Sequence, residues 1–137
     1  TNGINTVAET VTDGEGTETA TATLTPSNSS NLLRITATTN IHKSADAAYA
    51  VMCIFRDSDS DAMASQMFGV DNSATPQAGT IMCQVTAGST SSTTFKLRIG
   101  LETGTYASNQ GAAGTAMAGV NYGGTLGNSI LVEEIKV

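Results

Sequence analysis

The sequence predicts an all-β protein, an antiparallel jelly-roll-like β-sandwich of about eight strands. Apolar residues recur at every second position and almost never at the spacing of a helix. Threonine, which suits a pleated sheet, carries much of the polar composition, while glycine, asparagine and serine mark turns between short segments. With 137 residues and an apolar fraction of 39%, the chain is long enough to bury one core without help from a metal or a disulfide.

The first half of the chain contains four predicted strands. Residues 17–25 alternate threonine and alanine, and residues 33–41 carry one apolar face after a loop at 26–31. Residues 49–55 are apolar on both faces, so this strand is expected to be central in its sheet or to face a subunit partner. A short strand over 66–70 follows.

The second half supplies four more strands. Alternation over 81–85 and 95–101, with a turn-forming link at 87–92, predicts that these two strands are antiparallel partners. The glycine-rich stretch 102–128 is expected to hold one short strand at 115–122 between two loops. The last strand, 129–137, again has apolar residues on both faces.

Composition excludes several classes of partner. A formal net charge of −6 argues against binding to nucleic acid or to anionic membrane surfaces. The longest apolar run, 47–55, is far shorter than the roughly twenty residues that span a bilayer. We expect no cofactor. Because the sequence shows neither an initiator methionine nor a leader, the chain is expected to begin inside a longer polypeptide or after processing.

Two cysteines, Cys53 and Cys83, lie thirty positions apart inside apolar runs. This is not the close pairing that zinc sites require. We expect both to be reduced thiols packed as small apolar residues, with a disulfide between neighbouring strands as the alternative.

Three carboxylates are the main candidates for a metal site. Asp57, Asp59 and Asp61 alternate like the first ligands of a calcium loop, but Ala62 and Phe68 stand where an EF-hand requires glycine and glutamate. An EF-hand is therefore excluded, and a solvated loop is expected, with a looser calcium site as the alternative. A catalytic triad would have to be built around the single histidine, His42, and the sequence contains no recognisable nucleophile motif to go with it. We therefore predict that the protein is not an enzyme.

Four segments of the sequence resemble the β-sandwich modules of tailed-phage tail-fibre and virion-fibre proteins. They are Thr23 to Leu33, Cys53 to Asp57, Thr86 to Gly100, and Gly123-Gly124 followed by Ser129 to Val137. In register, these segments span roughly residues 13 to 137. The resemblance implies a trimeric receptor-binding tip on a fibre or spike, and attachment to a host cell.

On this resemblance, residues 1–16 are expected to connect from a longer fibre chain, and 17–137 to form the tip module. The implied partners are a homotrimer, a host surface glycan or protein, and other virion fibre or particle proteins. The implied location is the virion, after assembly in the bacterial cytoplasm. The alternatives are a capsid-fibre or head-decoration module that binds no receptor, and a bacterial carbohydrate-binding or adhesin domain.

The trimer also has support from the residues themselves. Ala50, Met52 and Ile54, with one face of 130–136, exceed the apolar needs of a single core, so we expect a second copy to bury them.

A parity argument places the contact surface. If every connection joins antiparallel neighbours, loops 26–30, 57–64, 87–92 and 123–128 lie at one end of the sandwich and both termini at the other. The free end would then present the three aspartates beside Tyr122, a possible platform for a sugar. If the strand at 66–70 were absent, the parity would shift and the exposed residues would be Tyr106, Asn109 and Gln110.

Overall fold

The computed structural model describes residues 10–43, 48–57, 59–70, 77–101, 106–108 and 128–137. These ranges contain eight strands and no helix, and therefore no helix that could cross a membrane. The strands are β1 (Thr17–Leu24), β2 (Leu32–Lys43), β3 (Ala48–Arg56), β4 (Ala64–Val70), β5 (Gln77–Thr86), β6 (Thr93–Leu101), β7 (Tyr106–Ser108) and β8 (Ser129–Ile135).

The strands form two sheets, and every pairing within them is antiparallel. Sheet I has the order β1-β6-β3-β4. In sheet II, β2 pairs with β5 along one edge and with β8 and β7 along the other. The predicted all-β antiparallel sandwich of about eight strands is confirmed.

The core lies between the sheets and follows the alternation of the sequence. On β6, Phe95, Leu97, Ile99 and Leu101 point inward and are at most 1% exposed. On β2, Leu33, Ile35, Ala37 and Ile41 do the same from the opposite sheet. These inward faces are the ones that the period of two predicts.

Strand β3 is buried on both faces by its own chain. Ala50, Met52 and Ile54 belong to the core between the sheets and are fully buried. Their expected role as a subunit contact is wrong, because the single core needs all three. The opposite face of β3 forms a second cluster of Val51, Cys53 and Phe55, covered by Val11 and by half-buried Ala62.

The expected hairpin between β5 and β6 is wrong. Strand β5 pairs with β2 in sheet II and β6 lies in sheet I, so residues 87–92 cross from one sheet to the other. Turn-forming residues reverse the chain whether it stays in one sheet or changes sheets, so their composition does not decide between the two. Strand β7 was not expected, and the strand expected at 115–122 lies outside the described residues.

Three of the loops meet at one end of the sandwich, as the parity argument predicts. We call this the loop end and define it as residues 25–31, 57–63 and 87–92. The short strand at 66–70, on which that parity depends, is present as β4.

The C-terminus also lies at the loop end, where the backbone N–H of Val137 faces Asn31 Oδ1 at 3.5 Å. Its expected position at the opposite end is therefore wrong. The start of β8 is also far from the loop end, since Ser129 pairs with Thr38. Strand β8 therefore runs towards the loop end, whereas the predicted alternation has the last strand run away from it.

The two cysteines are free, which confirms the prediction of unbridged thiols. Cys83 faces the main core from β5. Cys53 lies in the second cluster, on the outer face of sheet I. The two thiols are thus separated by sheet I itself.

Candidate functional site

Backbone hydrogen bonds hold two of the loops together at the loop end. The N–H groups of Ala87 and Gly88 donate to the carbonyl oxygens of Asn31 and Ser29, each at 2.9 Å. Gly88 has a φ of 73°, in the left-handed region where a residue without Cβ carries no penalty. In the same cluster, Asn28 Oδ1 accepts from the N–H and the hydroxyl of Ser30, both at 2.9 Å, an arrangement typical of asparagine in turns.

A carboxylate from the far end of the sequence anchors the first of these loops. Oε1 of Glu134 accepts from the N–H of Ser27 at 2.7 Å, from its hydroxyl at 2.9 Å, and from Asn31 Nδ2 at 2.7 Å. The N–H of Asn28 adds a longer contact of 3.3 Å. These bonds, that from Asn31 above all, lower the pKa of Glu134.

Asp57 fixes the second loop against strand β6. Its N–H donates to the carbonyl of Thr94 and its Oδ1 accepts from the N–H of Thr94, both at 2.7 Å. The residue has a φ of 47°, the one positive value among the described non-glycine residues. Aspartate tolerates this conformation better than most residues because its short side chain can bond locally.

Between the second and third loops lies an open, polar depression of about 360 Å³. Its lining residues are Arg56, Asp57, Asp59, Ala87, Gly88, Ser89 and Thr93. Arg56 Nε and Asp59 Oδ2 form an ion pair at 3.4 Å on its rim. The depression therefore offers a guanidinium, carboxylates and hydroxyls to a polar ligand, with no deep apolar pocket.

The structure separates the three aspartates that the sequence analysis selected. Asp57 and Asp59 line the depression, whereas Asp61 bridges to Thr12 on the outer side of sheet I and accepts from Ser60 Oγ at 3.3 Å. Within the described ranges, no three His, Cys, Asp or Glu side chains lie close enough to hold a metal ion. The looser calcium site therefore has no support from the described geometry.

Tyr106, another predicted contact residue, does not join this site. Tyr106 begins β7 and pairs with Lys43, at the end of β2 that points away from the loop end. Tyr122, Asn109 and Gln110 lie outside the described residues, as does the side chain of His42.

Sequence reasoning missed three residues that shape the site. Glu134 and Asn31 are 103 positions apart, and no local pattern links them. Arg56 is the third, and the sequence carries a signal for it: a cation at the end of a buried strand, three residues before Asp59.

The comparisons with known proteins overturn the phage resemblance. The family model of the Pgp3 C-terminal domain matches residues 1–135, and no curated protein matches the chain. The phage-fibre attribution is thus wrong, together with the virion attachment function and virion location that it implied. Serine, asparagine and glycine in the matching segments serve turns that any such sandwich needs, so they do not distinguish one family from another. The chain belongs to the Pgp3 C-terminal domain family, a Chlamydia virulence-plasmid protein family.

Proposed function

We propose that the chain is a non-catalytic binding module that assembles as a homotrimer and receives a glycan or protein partner at the loop end. One observation carries the assembly. An uncharged row lies across the outer face of sheet II, formed by Thr36 on β2 between two apolar side chains, Met82 on β5 and Leu131 on β8. Met82 is 62% exposed and Leu131 is 56% exposed.

The row lies on adjacent, paired strands, because Thr36 is the register partner of both Met82 and Leu131. Of the neighbouring register positions on this face, Thr38 with Thr80 and Ser129 carries no charge. Arg34 with Glu133, on the other side, forms an ion pair at 2.9 Å and so adds no net charge. Exposed apolar patches on a folded surface commonly mark contacts with other proteins. For a chain of net charge −6, a face whose two charges are paired with each other lets two copies approach with little repulsion.

A second, different apolar patch favours a head-to-tail contact over a two-fold dimer. On the outer face of sheet I, Tyr49 is 51% exposed and Met67 is 53% exposed, and the two are diagonal neighbours across β3 and β4. Two unlike patches on one chain suit a head-to-tail contact, which closes as a ring when the rotation permits. The smallest such ring has three copies.

Light scattering at micromolar concentration tests the assembly. We expect a mass three times the chain mass of 13.9 kDa, and we expect Met82→Asp to give a folded monomer because the side chain lies at the surface. Val137→Asp is the control, since Val137 is 76% exposed and belongs to neither patch. A monodisperse 13.9 kDa species for the unaltered chain would show that the proposed trimer is wrong. A trimer that survives both Met82→Asp and Met67→Asp would show that the two apolar patches do not form its contacts.

The loop end carries the partner contact in this proposal. Its depression is open and lined with groups that pair with hydroxyls and amides, as the surfaces of glycans and peptides require. A glycan array, with immobilised host-cell surface proteins as a second arm, tests it with the trimer intact. Arg56→Ala should weaken binding and Lys136→Ala should not. If the trimer binds in neither arm, or Arg56→Ala binds normally, the partner contact lies elsewhere.

A further inference from the structure

Residues 10–16 cross the outer face of sheet I before the chain enters β1. Val11 packs on Val51, Cys53 and Phe55 of β3 and is 8% exposed. The N–H of Asp13 donates to the carbonyl of Ser60, and the N–H of Ala62 donates to the carbonyl of Val11, each at 2.9 Å. We call residues 10–16 the strap.

One arginine of sheet I, Arg98, binds the strap through hydrogen bonds and an ion pair. Arg98 Nε donates to the carbonyl of Glu15 at 2.8 Å, and Nη2 donates to the carbonyl of Gly16 at 3.1 Å. Nη1 lies 3.4 Å from Oδ1 of Asp13 and 3.9 Å from Oε2 of Glu18. The Arg98 side chain is 14% exposed, so the strap and the arginine shield each other from solvent.

The strap and the main core are separate packing units. The cluster beneath the strap shares no buried residue with the core between the sheets. Two glycines flank Glu15 where the strap joins β1: Gly16 has a φ of 67°, and no atom lies within 4 Å of a Cβ built on Gly14. Once the hydrogen bonds from Arg98 to Glu15 and Gly16 break, the two glycines allow this junction to rotate.

We propose that the strap is releasable: it opens while the two sheets stay packed, and it uncovers an apolar stripe along β3. The stripe consists of Val51, Cys53 and Phe55, and it continues into exposed Tyr49 and Met67 on the same face. Opening thus enlarges one of the two apolar patches on the chain. The inference concerns the covering of sheet I and does not depend on the proposed loop-end partner.

Cys53 is a native thiol beneath the strap, so its reactivity reports whether the strap is open. Burial, followed by the nearby Glu15 carboxylate, raises the pKa of this thiol to about 12, and Arg98 opposes the rise. Both raising effects involve the strap. Cys83 is half-buried against the other cluster, in sheet II, so it serves as an internal reference thiol that the strap does not cover.

The test measures native-state alkylation of each thiol by mass spectrometry in the full chain. Val11→Asp removes the apolar contact that seats the strap. We expect Cys53 to react about tenfold faster or more, with the rate at Cys83 unchanged. Val137→Asp makes the same exchange at an exposed site outside the cluster and should leave both rates unchanged. Equal acceleration at both thiols, or none at Cys53, would overturn the proposal.

A second variant covers the case in which Val11→Asp does not fold. Thr12 and Asp61 form an antiparallel bridge, so Thr12→Cys with Asp61→Cys places two thiols opposite each other. Oxidation should close the strap and slow the alkylation of Cys53, and reduction should restore it. A Cys53 rate that is the same in the oxidised and reduced forms shows that the strap does not control access.

Discussion

Replacing Gly79 by alanine tests how tightly the two sheets pack. Gly79 lies on the inward face of β5, in extended backbone. A Cβ at this position would lie 2.6 Å from Cε1 of Phe68 and 2.7 Å from Sδ of Met52. Apolar atoms pack best at about 3.5–4.0 Å, so the ring and the thioether must each retreat by roughly 1 Å. Met52 is fully buried and has little room to move.

The expected magnitude follows from two opposing effects. Overpacking a close-packed core costs about 1–3 kcal/mol. Alanine also restricts the unfolded chain, which by itself would stabilise the protein by about 0.4–1 kcal/mol. We expect a net loss of about 1–2 kcal/mol in the free energy of unfolding, or a fall in Tm of roughly 4–8 °C.

Urea unfolding at one fixed protein concentration is the assay, since assembly would make stability depend on concentration. Gly69→Ala on β4 is the matched control, because no atom lies within 4 Å of its added Cβ, and this variant should be as stable as the parent or more so. In a Phe68→Ala background, the cost of Gly79→Ala should fall, because only the contact with Sδ of Met52 remains. If Gly79→Ala is as stable as Gly69→Ala, or costs the same without the ring, the close approach across the sheets is wrong.

Three further outcomes are expected. The lowered pKa of Glu134 means that its stabilisation is present above the ordinary value of 4.5 and is lost as the pH falls through the folded-state pKa. Glu134→Gln should therefore lower Tm at neutral pH and reduce the amount by which Tm at neutral pH exceeds Tm at acidic pH. If that pH dependence of Tm is the same in the variant and the parent, the expectation is contradicted. Ile54→Asp should unfold the chain, since a buried unpaired carboxylate costs several kcal/mol, and a folded circular-dichroism spectrum would contradict it. Asp57→Ala should be less stable than Asp57→Gly by about 1 kcal/mol in urea, because only glycine accepts the positive φ freely, and equal stabilities would refute the strain.

The parts of the fold that follow from sequence are those with one buried face. On β6 the inward residues alternate with Lys96 and Arg98, so the alternation of apolar and charged residues in the sequence predicts which side chains are buried. On β3 both faces are apolar, and the pattern cannot tell whether another copy or the chain itself covers the second face. Val11, which covers it, lies forty positions upstream of Val51.

Pairing between sheets was the less predictable part, since it depends on long-range contacts. The link 87–92 reads as a hairpin, yet β5 joins β2 and β6 joins β1 and β3. Strand β7, three residues long, carries no periodic signal, because alternation needs at least four or five residues to be recognised.

The candidate site likewise combines residues that local sequence predicts with residues whose contacts are long-range. Asp57 and Asp59 were predicted because they are neighbours in sequence, and they do line the depression. Glu134 and Asn31 were missed because the hydrogen bond between them closes a loop of more than a hundred residues. Local motifs thus identified the rim of the site and not the contacts that hold its loops in place.

Family membership had the weakest signal, for a physical reason. The segments that resembled phage fibres are rich in the serine, asparagine and glycine that shape the loop end, as Asn28 and Gly88 show. A sandwich of either origin must turn its chain with these residues, so their presence reports the fold and not the lineage. The features not required by the fold are the uncharged row around Thr36 and the strap gripped by Arg98. A sandwich can fold with a charged outer face and an uncovered sheet, so these two features are where selection for function, rather than for folding, is to be sought.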